Sequence, residues 1–437
     1  MKVTVFNIGK ILSGDINSPM IAGDTVVMRE GAIHAIGSGG DVGDCDVAID
    51  AAGMTAMPGL IDSHVHITFG DYTPRQRTVG FLESYVHGGI TACISASEVH
   101  VPGRPRDPAG VKAVAIAARK SFAAYRPGGM RVHAGSVILE PGLSEADFAE
   151  MQKEGVWLAK AGFGDFPTPY EYAPYVALAR KHGMVTMVHT GGSSIPGSMG
   201  IWADHLIKMQ PDVSYHVNGG PIAMPDADFP RLVNETKIAM QVCTAGNLRT
   251  ALLVGKLLAE CRELERLLIA TDTPTGSGIM PLGMLYTMSH LASLGGIEPE
   301  IAVAMPPATM PRFIDSTADC SRRGEMPTWC WSMPAAGVQR TMPCRRSRTA
   351  TSWVWAPSSA TGFPDSSAAA AIRRKRRAVP RSPTAACREI SARNTESLST
   401  GLAQLGQAFL AIPCKSDDTF SLLACSGQRW HVPMMCP

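Results

Sequence analysis

From Met57 to Ala308 the chain alternates short apolar runs with amphipathic stretches, and that rhythm restricts its possible folds more than any other feature. The apolar runs fall near 57–63, 90–96, 131–138, 156–160, 184–188, 213–215, 238–243 and 267–271. Between them lie segments such as Asp107–Tyr125, Tyr170–His182 and Asn247–Glu263, which carry helical spacing. Eight strands with intervening crossovers, at roughly 25–40-residue spacing, predict an α/β fold, a (β/α)8 TIM-type barrel. Helical segments at Pro281–Leu294 and Pro299–Ala308 follow the eighth strand. Upstream, 2–7, 24–29, 32–36 and 47–50 read as short strands divided by glycine turns, suggesting a small antiparallel unit.

A barrel of this kind keeps its chemistry at the C-terminal ends of the strands, so those ends hold the candidate residues. The first closes in Met57-Pro-Gly-Leu-Ile-Asp-Ser-His-Val-His66. Residues i and i+2 of a strand share a face, so His64 and His66 can chelate one ion from a rigid base. The fourth strand ends in Lys160, the fifth in His189, the sixth in His216 and the eighth in Asp272. One histidine after a strand is unremarkable. Six candidate ligands at five strand ends are not.

Composition excludes some functions and exposes a discontinuity. A net charge of +2 gives no reason to expect a nucleic-acid or membrane partner, and no apolar run reaches the length of a membrane span. The start, Met1-Lys-Val-Thr-Val-Phe, reads as a strand and not as a signal peptide. Eleven cysteines without regular spacing predict reduced thiols and a cytoplasmic setting. Residues 1–318 hold 24 Lys+Arg against 31 Asp+Glu, whereas 319–437 hold 16 against 7. The later segment also carries seven of the eleven cysteines and five of the seven tryptophans.

Residues 1 to about 310 resemble the amidohydrolase superfamily of metal-dependent hydrolases, most closely its enamidase-like branch. The resemblance lies in Gly59-Leu-Ile-Asp-Ser-His-Val-His66, Ile94-Ser-Ala-Ser-Glu-Val-His100, His189-Thr-Gly-Gly192, Ser194-Ile-Pro-Gly-Ser198, His216-Val-Asn-Gly-Gly-Pro221 and Asp272 with Pro281-Leu-Gly283. It implies that 1–56 form part of a small β-sandwich and 57–310 the barrel. It implies two divalent ions, zinc above iron or manganese. His64, His66 and Asp272 would hold one, and His189 and His216 the other. Lys160 departs from the Glu of the enamidase-like branch. It would bridge the two ions if carboxylated by CO2, as in many superfamily members, since a free ammonium repels metal ions. An unmodified Lys160 beside a one-metal site is the alternative. The implied reaction opens a cyclic amide through a metal-bridged hydroxide, with Asp272 as proton shuttle. The alternatives are hydrolysis of another ring, a lactone, imide or dihydropyrimidine-like one, or an inactive barrel from a frameshifted gene. Glu98, His100, Ser193, Ser194 and Asn218 are weaker expectations for substrate contact. A homo-oligomer is the expected assembly.

The family's chain returns to its sandwich soon after the barrel, through a stretch like Gly-x-Ile-Ala-Pro-Gly-x-x-Ala-Asp-Leu-Val. Here Asp319 to Pro334 reads Asp-Cys-Ser-Arg-Arg-Gly-Glu-Met-Pro-Thr-Trp-Cys-Trp-Ser-Met-Pro. Back-translated and read from the last base of each codon into the next two, it permits Leu-Leu-Ala-Pro-Gly-Arg-Asp-Ala-Asp-Leu-Val-Leu-Val-Asp-Ala. Residues 311–437 are therefore expected to be frameshifted, without regular structure, and to leave the first strands unpartnered. The rival reading makes Arg373-Arg-Lys-Arg-Arg377 a genuine basic patch.

Overall fold

The computed structural model describes residues 1–30, 32–39, 43–67, 78–99, 103–194, 198–219, 223–274 and 278–309, and the backbone of five later strands. The chain forms two compact units, Met1–Pro364 and Asp365–Pro437.

The first unit opens with β1 (Lys2–Phe6), β2 (Lys10–Leu12), β3 (Met20–Ile21), β4 (Thr25–Arg29), β5 (Ala32–Gly37), β6 (Val47–Asp50) and β7 (Thr55–Pro58). One sheet has the order β5-β4-β1-β6; β2 and β3 join β7 in a second. Alternating side chains from these strands, including Val3, Val5, Ile11, Val26, Met28 and Ala56, fill a small separate core. The expected all-antiparallel unit is corrected, since β1 pairs parallel with β6 and β2 parallel with β7. The reason is connectivity: β6 joins the far edge of β1 from β4 and runs in β1's direction.

The predicted run 57–63 spans two elements. β7 belongs to the sandwich, and β8 (Leu60–Val65) starts the barrel. The boundary falls at Gly59, after Pro58, which has no N–H for a ladder.

The barrel continues through β9 (Ile90–Ser95), β10 (Arg131–His133), β11 (Ser136–Ile138), β12 (Leu158–Ala161), β13 (Val185–His189), β14 (Val213–Tyr215), β15 (Ala239–Cys243) and β16 (Leu267–Ala270). Neighbours pair parallel, with β10 on β9 and β11 on β12. β10 and β11 are one interrupted strand, so eight strands circle the axis. The break passes through Gly135 at φ 95°, where a Cβ would strike the carbonyl of Ala115. Closure comes from Asp272 N donating to His64 O at 3.0 Å and His66 N donating to Thr273 O at 2.8 Å.

Helices cover the outside: α1 (Thr78–Tyr85), α2 (Pro108–Phe122), α3 (Glu145–Lys153), α4 (Ala173–Lys181), α5 (Ala203–Met209), α6 (Asp228–Glu235), α7 (Leu248–Glu260), α8 (Gly283–Gly295) and α9 (Pro299–Thr309). In α2, Asp107 accepts from Gly110 N ahead of Pro108 at the first helical position, a strong start signal. Its buried Val111, Ala115, Ala118 and Phe122 form one stripe against the strands. Inside the barrel, Ile94, Trp157, Leu158, Met187, Val213, Tyr215 and Leu268 make an apolar floor. The polar ligand candidates stand above it.

Five further strands lie in the segment expected to lack regular structure. β17 (Trp329–Pro334) pairs antiparallel with β7 and parallel with β18 (Trp355–Ser358). β7 therefore has a partner on that edge, contrary to the expectation of unpartnered first strands, because backbone pairing tolerates many side chains. In the second unit, β19 (Leu410–Pro413), β20 (Thr419–Leu423) and β21 (Arg429–Pro433) form an antiparallel sheet in that order.

Candidate metal centre

The end of β8 is not a regular strand: its register with β9 shifts between Asp62 and Val65. The buried Asp62 fixes this irregularity. It accepts from Thr271 Oγ1 at 2.6 Å, Thr271 N at 3.1 Å and His64 N at 3.2 Å, which ties β8 to the end of β16. Burial pushes its carboxyl up to about 7 against the favourable donors.

Asp272 stands two residues beyond β16 at φ 57°, and His216 directly after β14 at φ 34°. Both lie in the left-handed region that costs an L-residue roughly 1–2 kcal/mol. The strain aims both side chains at one point. Asp272 Oδ1 is 3.1 Å from His64 Nε2 and 3.1 Å from His66 Nε2. On the other side, His189 Nδ1 lies 3.1 Å from His216 Nε2. Ligand atoms of His64, His216 and Asp272 fall within 4.8 Å of one another, so the two sets form one cluster.

The ring chemistry suits a cation. His189 Nε2 donates to Gly192 O at 2.8 Å, which leaves the Nδ1 lone pair facing His216. His216 Nδ1 is buried without a hydrogen-bond partner among the described residues. Burial, reinforced by Lys160, lowers His66 to about 3 and His189 to about 4. Burial likewise holds His64 and His216 well below the usual imidazole range. Four neutral imidazoles and a carboxylate are a donor set for a divalent ion.

Lys160 is fully buried, and its Nζ finds no hydrogen-bond partner among the described residues. It sits 4.1 Å from the ring centroid of Tyr215 and 5.5 Å from that of Phe163. Burial pulls its amine down, while Asp272 opposes the shift; burial pushes Asp272 up.

The weaker expectations divide. Glu98 is buried, and its Oε1 accepts from Gly135 N at 2.8 Å, in the break of the third strand. His100 lies outside the described residues. Ser193 and Ser194 are exposed and close their own loop: Ser193 Oγ donates to Ser198 O at 2.8 Å, and Ser194 N to Ser198 Oγ at 2.8 Å. Asn218 is buried. Its Nδ2 donates to Cys243 O and Asn247 O, and its Oδ1 accepts from Cys243 N, so it clamps the end of β15.

Two buried neighbours of the ligands had drawn no assignment from the sequence. Tyr215 stacks under His64, and Gln241 bonds to it. Gln241 carried a signal, as the lone strongly polar residue in Ala239-Met-Gln-Val-Cys243.

No family model matches the chain. Over 308 residues it is 49% identical to an enamidase of Eubacterium barkeri, covering 70% of this chain and 80% of that protein. A solved enamidase structure, described as a member of the amidohydrolase superfamily, matches with TM-score 0.68 at 47% identity. That match covers 72% of this chain and 83% of the other. A β-aspartyl dipeptidase from Fervidobacterium islandicum AW-1 matches with TM-score 0.51 at 16% identity, over 72% of this chain and 86% of its own. It shares the fold alone.

Proposed function

The chain belongs to the enamidases of the amidohydrolase superfamily, and on that premise we propose that its buried cluster holds two divalent ions for opening a cyclic amide. It is a hydrolase of carbon–nitrogen bonds other than peptide bonds, in cyclic amides. The observation that carries the reading is the approach of His64 and His66 to Asp272, beside the His189–His216 pair.

In this reading His64, His66 and Asp272 hold one ion, and His189 and His216 the other. Lys160 would complete the set as a carbamate, formed when its neutral amine adds CO2 and releases a proton. Its burial without a hydrogen-bond partner among the described residues favours that modification. Bound ions would acidify water and polarise the substrate carbonyl, and zinc suits the ligands, with iron or manganese as substitutes. Asp272 accepts the proton of the attacking water and passes it to the ring nitrogen as the C–N bond breaks. The apolar floor excludes water from beneath. Among the described residues no helix is long and apolar enough to cross a membrane; we read the setting as cytoplasmic.

The test is metal analysis of the purified chain with a panel of six-membered unsaturated lactams, lactones and imides. Chelator-sensitive opening of the lactams supports the reading. Lactone or imide opening alone would reassign the ring, and no bound metal would overturn it.

We infer further that the reading frame changes between about Ala308 and Asp319. The enamidase match runs for 308 of the 437 residues, close to the length before the composition shifts. Resequencing codons 300–340 tests this. A one-base difference restoring Ala-Pro-Gly-Arg-Asp-Ala-Asp makes the tail an error. The sequence confirmed as written, with residues 311–437 needed for a folded and active chain, makes it genuine.

A further inference from the structure

For His64 to hold a cation through Nε2, its proton must sit on Nδ1, and that buried proton needs an acceptor. Gln241 Oε1 lies 2.8 Å from His64 Nδ1. The other end of the amide, Nε2, donates to Ser63 Oγ at 2.7 Å. Gln241, Ser63 and His64 are all buried. Turned over, the amide would require a lone pair on Nδ1 and a proton on Nε2, which faces Asp272 Oδ1 at 3.1 Å. His64 would then donate to Asp272 and could not coordinate. The two orientations of one side chain therefore have opposite consequences, and the observed one leaves Nε2 free.

The two sides of the cluster solve the same problem differently. His189 is oriented by the carbonyl of Gly192, which no substitution removes. His64 depends on a side chain reaching across from β15.

We propose that Gln241 is the positioning residue that locks His64 in its metal-holding tautomer; the role rests on the metal-dependent reading above. The experiment measures zinc affinity of the full chain by chelator competition, for the parent, Gln241→Leu and Gln241→Glu. It adds 15N spectra of histidine-labelled, zinc-loaded protein. Gln241→Leu, which removes the acceptor, is expected to weaken zinc binding by roughly 10–100-fold. Gln241→Glu, which keeps an acceptor, should return it to within a few-fold of the parent. The parent spectrum should show His64 protonated on Nδ1.

Equal zinc affinity in the parent and a folded Gln241→Leu overturns the role of Gln241 alone. So does a parent spectrum with the His64 proton on Nε2. Should Gln241→Leu fail to fold, the parent spectrum and Gln241→Glu decide: lost affinity in the glutamate variant overturns the proposal. A folded parent that binds no zinc, iron or manganese overturns the metal reading itself, a distinct result.

Discussion

The ring of Tyr215 stacks on the ring of His64, with centroids 3.9 Å apart and planes 26° from parallel. The same ring lies beneath Lys160 Nζ, and its hydroxyl donates to Ser63 O at 2.8 Å. One apolar surface on β14 thus supports ligand candidates from β8 and β12. Tyr215→Phe keeps the surface and deletes the hydroxyl, leaving a buried carbonyl short of a donor. We expect a loss of about 1–2 kcal/mol in a urea titration, with metal content unchanged.

Gly162 protects His189. It has φ +109°, and a Cβ there would lie 2.5 Å from His189 Cβ. Gly162→Ala must displace that imidazole or its strand, so bound metal should fall along with about 1–3 kcal/mol of stability. Gly183→Ala is the control. It also has a left-handed φ of +72°, but its nearest neighbour is Gln152 at 3.7 Å. That variant should lose stability and keep its metal.

Glu98 makes stability fall as pH rises. Burial lifts its carboxyl from 4.5 to about 7, so the folded chain holds this proton more tightly than the unfolded one. Its contribution is fully present below 4.5 and is lost as pH climbs through about 7. The span corresponds to up to about 3 kcal/mol. Glu98→Gln cannot ionise, so denaturant midpoints measured across this range should vary less than in the parent.

The proposed function gives Asp272 two roles, ligand and proton carrier. Asp272→Asn keeps one ligand oxygen and loses the basic one. Turnover of a cyclic amide should drop by roughly 10²–10⁴-fold, more than bound metal falls in the same preparation. Parallel loss of metal and rate would assign Asp272 to coordination only.

Chelation gives a reversible version of the same dissection. Removing metal should abolish turnover, and zinc should restore it. It should also lower the melting temperature, because the buried imidazoles would face one another without a cation. Unchanged melting after chelation would count against a metal held in the folded parent.

The eight strands, their order and the residues at their ends were legible in the sequence. Apolar runs buried on both faces and amphipathic covers are periodic signals, and His64, His66, His189, His216 and Asp272 stand at or just beyond strand ends. The parallel pairing of β1 with β6 was not legible, since an isolated strand carries no mark of its partner's direction. Nor was the use of Asn218, because an amide after a strand looks the same whether it meets substrate or backbone.

Chain order by itself therefore determined the barrel and placed the candidate ligands on its rim: their identities and spacing are local facts. Tertiary structure alone decided how those ligands are held. Asp62 reaches Thr271, Gln241 reaches His64, and Tyr215 lies under both His64 and Lys160, across separations of up to 209 residues. Such contacts follow from closing the barrel, which brings opposite strands within hydrogen-bonding reach, and no periodicity along the chain encodes them.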